Sequence, residues 1–330
     1  MRGSPLLGVL AIGAPFVVGA FVVSNPLRPD LEVFTFTDPE IVESSGLVAR
    51  DGLAYTVNDS GDTGRVFTVD PETGDTVGTT AFDPDAEDVE ALAPAGPGEV
   101  WVGDIGDNRR QRSEITVTRV PVGQGERTDA GTAVRLIYPG GARDAEALLV
   151  HPQTGRLFVV SKGALGGQVY AAPRELDESA PNRLAPRGPV LGMVTDGSFF
   201  PDGRHLMLRS YGRAVVYHWP SLEPEADLEL PRQRQGEGLA VTEDGEVLLS
   251  SEGREAPVLR LPLPDDVQAA LEDEPQQSAQ PERTSARDVT AEARDQELRP
   301  YLIGGGILLG VVAVAAAVRH WRHGAHRRSR

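Results

Sequence analysis

One pattern repeats five times between residues 45 and 253, and it restricts the fold more than any other feature. Each repeat opens with an acidic or polar residue, forms an apolar strand, turns at a glycine, forms a second apolar strand and ends in a polar loop. The five openings lie at residues 45–49, 90–92, 146–150, 196–199 and 237–241. A third apolar run follows each time, and a fourth follows in the first four repeats. Repeat starts lie 41 to 56 residues apart, which is typical of four-stranded propeller blades.

We therefore predict an all-β protein, with a five-bladed β-propeller over residues 31–264. The fifth repeat lacks a fourth strand before the chain becomes polar near Pro264, whereas an unused apolar strand lies at residues 31–37. If this N-terminal strand forms the outer strand of the last blade, it closes the ring and protects the open edges of the first and last blades. Six blades, one of them degenerate, are the alternative.

Both ends of the chain carry apolar segments outside the repeats. Residues 1–24 contain one arginine followed by an apolar run, which is the pattern of a signal peptide; the length of the run also fits an uncleaved anchor. Residues 301–318 are uncharged and mostly apolar, and they predict a transmembrane helix over 300–319. The basic residues 320–330 predict a cytoplasmic tail. These features predict a single-pass protein of the cell membrane, with the N-terminal domain outside.

Residues 265–299 differ in composition from the repeats. They are charged, rich in Gln, Ser and Pro, and contain no aromatic residue. Such a segment cannot bury enough apolar surface to offset the entropy of ordering. We predict a flexible acidic stalk between the propeller and the membrane.

The charge of the chain is divided unequally. One arginine precedes residue 25 and five follow residue 318, so the segment between carries 26 basic and 49 acidic groups, a net charge of −23. This charge repels nucleic acid and anionic headgroups and favours cations or basic partners, although solubility alone also explains an acidic surface. The chain has no cysteine, which excludes disulfides and thiolate metal sites. We expect a monomer.

Propeller geometry predicts where the polar residues of the repeats meet. The innermost strand of a blade begins on one face of the ring, and the second strand ends on the same face, which we call the rim face. Acids at the repeat openings and polar residues after the second strands therefore converge there, with Glu43 two residues out of register in the first repeat. The resulting candidates for ligand binding are Asn58, Asp59, Glu90, Glu146, Lys162, Asp196, Arg209, Tyr211, Glu237 and Glu252.

Carboxylates gathered around one opening repel each other, by about 4 kcal/mol per pair at 4 Å near a protein surface. A hard cation such as Ca²⁺ would offset this repulsion, because it binds six to eight oxygen ligands. The best local metal candidates are Asp104, Asp107 and Asn108, in the segment Gly-Asp-Ile-Gly-Asp-Asn, and the acidic run at 83–88 is the next candidate. The alternative is structural: Asp and Asn after strands bond to their own backbone in turns, acids at the repeat openings bond to the next blade, and the rim's own arginines and lysine neutralise the charge.

Four motifs carry a resemblance. Ser-Gly-Leu at 45–47, Asn-Asp-Ser-Gly at 58–61, Gly-Asp-Ile-Gly-Asp-Asn at 103–108 and Arg-Asp-Ala-Glu-Ala-Leu at 143–148 resemble those of a group of bacterial exported β-propeller proteins. More remotely, the chain is similar to phytase-like and gluconolactonase-like propellers. This resemblance implies a propeller whose rim carboxylates hold a divalent metal. No individual ligand can be transferred from those enzymes to a position here, and a shared fold does not establish a shared function.

Three hypotheses for function follow. The first is a membrane-anchored propeller outside the cytoplasm that binds or senses a cation, a small polar ligand or a basic protein on its acidic rim. The second is a metal-dependent hydrolase of phosphoesters or lactones, with Lys162 and Arg209 as the candidates for holding phosphate. The third is a structural partner in the cell envelope.

Overall fold

The structure is a computed structural model, and it describes residues 29–59, 61–83 and 85–272. The predicted leader, the transmembrane segment at 300–319 and the basic tail lie outside the described residues. Within the described part of the chain, no helix is long and apolar enough to cross a bilayer.

The described chain forms twenty-two strands in five sheets and one short helix. After a 3-10 turn at Pro29–Leu31, the chain enters β1 (Glu32–Thr35). Blade 1 contains β2 (Ser44–Arg50), β3 (Leu53–Asn58), β4 (Gly64–Val69) and β5 (Thr76–Asp83). The segment of blade 2 contains β6 (Val89–Pro94), β7 (Glu99–Asp104), β8 (Ile115–Pro121), β9 (Gly125–Thr128) and β10 (Thr132–Ile137).

The remaining three blades follow in the same order. The segment of blade 3 contains β11 (Ala145–Val150), β12 (Leu157–Ser161), β13 (Gly167–Ala171), β14 (Asn182–Arg183) and β15 (Ala185–Val190). Blade 4 contains β16 (Asp196–Phe199), β17 (His205–Arg209), β18 (Arg213–His218) and β19 (Glu223–Glu229). Blade 5 contains β20 (Gly236–Val241), β21 (Val247–Ser251) and β22 (Pro257–Leu261), and helix α1 (Asp265–Glu272) follows it.

The five sheets form a ring. The first strands of the blades, β2, β6, β11, β16 and β20, each contact the first strands of both neighbours in cyclic order, so they line the central axis. Within each blade the strands are antiparallel from the centre outwards. The prediction of a five-bladed β-propeller is confirmed.

Apolar packing between blades holds the ring together. Five buried clusters lie at the five interfaces between neighbouring blades. Each sheet therefore packs against a neighbouring blade on both faces, which explains why the inner strands are apolar along almost their whole length. In this arrangement each repeat completes its core only with its neighbours.

The N-terminal strand closes the ring as predicted. Strand β1 pairs antiparallel with β22, so the sheet of blade 5 has the order β1-β22-β21-β20. Phe34 and Phe36 are buried in the cluster between blades 5 and 1. First and last blades are thus joined by backbone hydrogen bonds and by apolar burial.

Two features differ from the expectation of four strands per blade and a stalk from residue 265. Strands β9 and β14 each pair parallel with the outer strand of the preceding blade, so the sheets of blades 1 and 2 have five strands. The segment Asp265–Glu272, assigned above to the flexible stalk, is helix α1. The helix is ordered because Val267 and Leu271 pack on the cluster between blades 4 and 5. The rest of the predicted stalk lies outside the described residues.

Candidate functional site

The rim face is built by the same register in every blade. The first residue of the inner strand pairs with the last residue of the second strand. The five pairs are Ser44 with Asn58, Val89 with Asp104, Ala145 with Ser161, Asp196 with Arg209, and Gly236 with Ser251. The repeat openings and the loops after the second strands therefore share one face.

A register shift follows the first pair in four of the five blades. It places one extra residue in the inner strand, and such bulges re-aim a side chain. The extra residues are Ser45 in blade 1, Glu90 in blade 2, Glu146 in blade 3 and the pair 237–238 in blade 5. Ser45, rather than the nearby Glu43, therefore takes the position of the acid in blade 1. Blade 4 has no shift at Asp196.

Eight carboxylates gather at this face, and we call them the carboxylate cluster. Each belongs to an inner-strand start or to the loop after a second strand, and each lies close enough to another to affect its ionisation. They are Glu43, Asp59, Asp88, Glu90, Asp144, Glu146, Glu237 and Glu252. Asp88 ends the acidic run at 83–88, which the sequence analysis gave as the second local metal candidate, whereas Asp144 was not predicted as a site residue. Both belong to an Asp-x-Glu pattern that recurs in blades 2 and 3.

Three members of the cluster are arranged as a metal site would be. One carboxylate oxygen each from Asp59, Asp88 and Glu90 lies within 4.8 Å of the others. Ser45 Oγ donates to Glu90 Oε2 over 3.1 Å. Burial, followed by the charges of Glu146 and Asp59, raises the pKa of Glu90 to about 10. We call Asp59, Asp88 and Glu90 the cation site.

The pKa of Asp88 is also raised, but less than that of Glu90. Burial raises its pKa to about 6, and the charges of Asp59 and Asp144 add to the effect. Raised pKa values mean that the ionised carboxylates are short of compensating positive charge. A cation at this position would supply that charge.

Glu237 supplies a second sign of a missing partner. Its side chain is 5% exposed, and its Oε2 is buried without a hydrogen-bond partner among the described residues. Burial raises its pKa to about 6, although Lys162 and Arg209 oppose the increase. An unsatisfied buried carboxylate oxygen costs free energy, so this atom points to a ligand or water in the cluster.

Lys162 is the one ammonium group in the sequence, and it lies inside the cluster. Its Nζ donates to Glu146 Oε1 over 2.5 Å and to the Tyr211 hydroxyl over 3.2 Å. Burial alone would lower the pKa of Lys162, but Glu146 and Tyr211 raise it above its ordinary value. Lys162 is therefore paired with Glu146, and its charge only partly offsets the raised pKa values of Glu90, Glu237 and Glu252.

Asp196 and Arg209 occupy rim positions but are buried within the ring. Asp196 Oδ1 accepts from the amide of Gly197 and Oδ2 from the amide of Leu239, both over 2.7 Å. The Arg209 guanidinium donates to the carbonyls of Gly238 and Ser250. Both side chains thus form hydrogen bonds from blade 4 to the backbone of blade 5. The structure thus gives Arg209 a structural use, and a substrate phosphate could not reach it without rearrangement.

The segment predicted as the best local metal site folds into a self-contained loop. Asp104 accepts from Arg112 over 2.6 Å and from the amide of Asp88. The Asp107 carboxylate accepts from the amides of Gln111 and Arg112. Asn108 is exposed. These contacts are of the kind that the structural alternative of the sequence analysis predicts, with Asp side chains bonded to nearby backbone amides and to Arg112.

This loop nevertheless shapes the cation site. A Cβ on Gly106 would lie 2.4 Å from Asp88 Oδ2 and 2.9 Å from Glu90 Cγ. The amide of Gly106 also donates to the carbonyl of Asp88 over 3.1 Å. Glycine at this position therefore lets the loop pack directly on two carboxylates of the cation site.

Two other predicted residues have defined contacts. Asn58 is buried and organises its loop: its Oδ1 accepts from the amides of Val42 and Glu43. Glu252 is half-buried and accepts from Gln235 over 2.5 Å. Burial and the charge of Glu237 raise the pKa of Glu252 to about 7.

The opposite end of the axis has a different character. A cavity of about 320 Å³ opens there, and all five inner strands line it with mostly apolar residues. None of the predicted site residues lies in it. The chemistry of the ring is therefore concentrated at the rim face.

Comparison with known proteins adds a fold likeness. No protein-family model matches the chain, and no curated protein matches it. Among solved structures, a glucose dehydrogenase has a TM-score of 0.40 and 12% identity, covering 67% of this chain and 83% of that chain. We draw no functional conclusion from a likeness at this level, and the strand topology described above defines the chain as a β-propeller.

Proposed function

We propose that this β-propeller binds a divalent cation on its rim face, and that Asp59, Asp88 and Glu90 are the ligands. The observation that carries the proposal is the position of their three oxygens, within 4.8 Å of one another. The buried and unpaired Oε2 of Glu237 in the same cluster supports it independently. Ca²⁺ is the first candidate, because it takes carboxylate oxygens in flexible geometry.

The electrostatics of the site favour binding over simple structural use. The carboxylates of Asp104 and Asp107 are satisfied by backbone amides or Arg112. The cation site instead combines close oxygens with raised pKa values at Asp88 and Glu90. A bound cation would return these groups to their ionised state and replace repulsion by attraction.

Binding without turnover fits the residues better than hydrolysis. A phosphoesterase needs cationic groups that face the substrate phosphate. Arg209 is fully buried and bonded to carbonyls, and Lys162 is paired with Glu146. We therefore propose a binding or sensing role, exerted outside the cytoplasm by a domain that residues 300–319 anchor in the cell membrane.

A thermal titration tests the cation site. The full-length chain, purified in mild detergent, is freed of metal and melted in increasing Ca²⁺. At 100 times Kd, binding should stabilise the fold by about 2.7 kcal/mol, which raises the melting temperature of a domain of this size by roughly 5–10 °C.

The matched variants are Asp88→Asn and Asp85→Asn. Both remove one charge from the same loop, but Asp85 is exposed and outside the cation site. We expect the Ca²⁺ shift to persist in Asp85→Asn and to fall strongly in Asp88→Asn. No shift in the unmodified chain, or an equal shift in both variants, would overturn the proposed site.

A further inference from the structure

Large apolar side chains are exposed at few places in the described chain, and most of those places lie together. They are Val33, Leu165, Met193 and Tyr211. Leu165 lies between β12 and β13, Met193 precedes β16, and Tyr211 follows β17. All three loops lie on the rim face of blades 3 and 4. We call Leu165, Met193 and Tyr211 the apolar shelf.

Backbone contacts hold two loops of the shelf against each other. The amide of Met193 donates to the carbonyl of Gly163 over 2.9 Å, and the amide of Gly167 donates to the carbonyl of Leu191 over 2.9 Å. A Cβ on Gly192 would lie 2.9 Å from the carbonyl oxygen of Gly163. The loops that carry Leu165 and Met193 are therefore fixed relative to each other before any partner binds, which lowers the entropic cost of binding.

Lys162 joins the shelf to the carboxylate cluster. Its Nζ bonds to the Tyr211 hydroxyl on one side and to Glu146 on the other, and it lies 5.5 Å from the centre of the Tyr211 ring. Beyond Glu146 lie Glu237 and the more accessible Glu252, whose charges affect each other. The apolar shelf and the carboxylate cluster thus lie on the same face, with Lys162 between them.

We propose that the apolar shelf and the carboxylate cluster together bind a segment of a partner protein in which an arginine or lysine lies next to an aliphatic residue. The aliphatic side chain covers Leu165 and Met193. The basic side chain bonds to Glu252 and Glu43, the accessible members of the cluster. This inference goes beyond cation binding, because the shelf plays no part in the cation site.

The negative charge and the exposed apolar side chains of the rim face favour a basic protein segment over a metal ion, nucleic acid or lipid. A bare metal ion covers no apolar surface and leaves Leu165 in water. Nucleic acid and anionic lipid are repelled by a segment with a net charge of −23. A basic protein is attracted over the same distance, which speeds its encounter with the rim.

Fluorescence anisotropy with a defined peptide tests the inference. The probe is the peptide Gly-Arg-Leu-Arg-Leu-Gly-amide with fluorescein attached to its N-terminal amine, titrated with the full-length chain in EDTA. A second peptide replaces both leucines by serine, and a third replaces both arginines by glutamine. Working in EDTA separates this test from the cation proposal, because failure of metal binding leaves the result unaffected.

Leu165→Ser is the decisive variant, and Val33→Thr is its control, since Val33 is exposed on strand β1 outside the rim face. We expect Leu165→Ser to weaken the leucine peptide roughly fivefold to tenfold, as expected for loss of part of one buried leucine contact. The serine peptide should bind weakly and be insensitive to Leu165→Ser. Glu252→Gln should weaken both arginine-containing peptides alike.

Three outcomes would overturn the inference. The leucine peptide does not bind in EDTA; it binds no better than the serine peptide; or Leu165→Ser and Val33→Thr bind it equally. The last two outcomes would mean that any binding is charge attraction alone and that the shelf makes no contact.

Discussion

The Asp196 carboxylate accepts a hydrogen bond over 2.7 Å from the backbone amide of Leu239, which lies on the inner strand of the neighbouring blade. The same carboxylate accepts from its own neighbour Gly197, and Arg209 lies close enough to affect its ionisation. An acid at the opening of a repeat thus connects two blades instead of facing a ligand. Burial raises the pKa of this carboxyl well above its usual range.

Asp196→Ala should therefore destabilise the ring. The change leaves the buried amides of Gly197 and Leu239 without an acceptor, and we expect a loss of about 2–4 kcal/mol in the free energy of unfolding. Asp196→Asn, which keeps an acceptor oxygen, should lose less. Denaturant unfolding of the full-length chain measures both, with exposed Asp244→Ala as control. Equal stability of Asp196→Ala and Asp244→Ala would contradict the assigned role.

The propeller could be predicted from the sequence because inner strands repeat their apolar pattern and the fifth repeat lacks one strand. The convergence of the repeat openings on one face followed from chain direction alone. The contacts of each acid could not be predicted in this way, because they depend on a register shift of one residue in the inner strand. Glu90 lies at such a shift, whereas Asp196 occupies the same sequence position in the one blade without it.

The sequence alone also could not show which acid of the run at 83–88 belongs to the cation site. Asp83, Asp85 and Asp88 follow one another in a single acidic run, and composition does not distinguish them. Asp88 differs from the other two because Gly106, in the loop between β7 and β8, packs against its carboxylate and bonds to its carbonyl. This contact places Asp88 in the cation site. Such long-range contacts are set by tertiary packing.

Ring closure gives a second stability prediction. Phe36 is fully buried between blades 5 and 1, and its amide donates to the carbonyl of Ala256. Phe36→Ala should cost about 3–5 kcal/mol, as large-to-small changes of buried aromatics do. Val33→Thr on β1 is the control, because that side chain is partly exposed. If both variants unfold at the same denaturant concentration, burial of Phe36 does not stabilise the closure of the ring.

The proposed membrane anchor has its own test. Deletion of residues 300–330 removes the apolar segment and the basic tail, and we expect it to release the propeller from the membrane fraction into the medium. Immunoblots of cell, membrane and medium fractions measure the distribution. A variant that deletes only residues 320–330 is the control and should stay in the membrane. N-terminal sequencing of the product shows whether the leader has been cleaved, and with a cleaved leader, retention of the longer deletion in the membrane would contradict the C-terminal anchor.

Gly106→Ala should weaken cation binding without removing a ligand. The new methyl group would lie 2.4 Å from Asp88 Oδ2, so either the carboxylate or the loop must move. Gly212→Ala is the matched control, because its Cβ would meet nothing within 4 Å and it too lies in a rim-face loop. We expect at least a tenfold higher Kd for Ca²⁺ in Gly106→Ala, about 1.4 kcal/mol. Calorimetric titration of both variants provides the comparison, and equal affinities would show that the position of Asp88 is not important for binding.

The raised pKa values predict how stability depends on pH. Burial raises the pKa of Asp88 and of Glu237 to about 6, and that of Glu252 to about 7. A carboxyl with a higher pKa in the folded state stabilises the fold at low pH, and this contribution is lost as pH rises through the folded pKa. Burial raises the pKa of Glu90 and Glu146 as well, so these two carboxyls act in the same direction. His151 acts in the opposite direction, because burial lowers its pKa, but it is one group against five.

In EDTA, the melting temperature of the full-length chain should therefore fall between pH 5 and pH 8. The shift caused by saturating Ca²⁺ should grow over the same interval, because the cation binds ionised carboxylates and competes with protons below their pKa. Glu252→Gln removes one of the five carboxyls with a raised pKa and should flatten the curve in EDTA. Differential scanning fluorimetry at half-unit pH steps measures all three effects. A melting temperature that rises steadily from pH 5 to pH 8 in EDTA, or a Ca²⁺ shift that is equal at both ends, would contradict the account of the rim as a set of carboxylates short of positive charge.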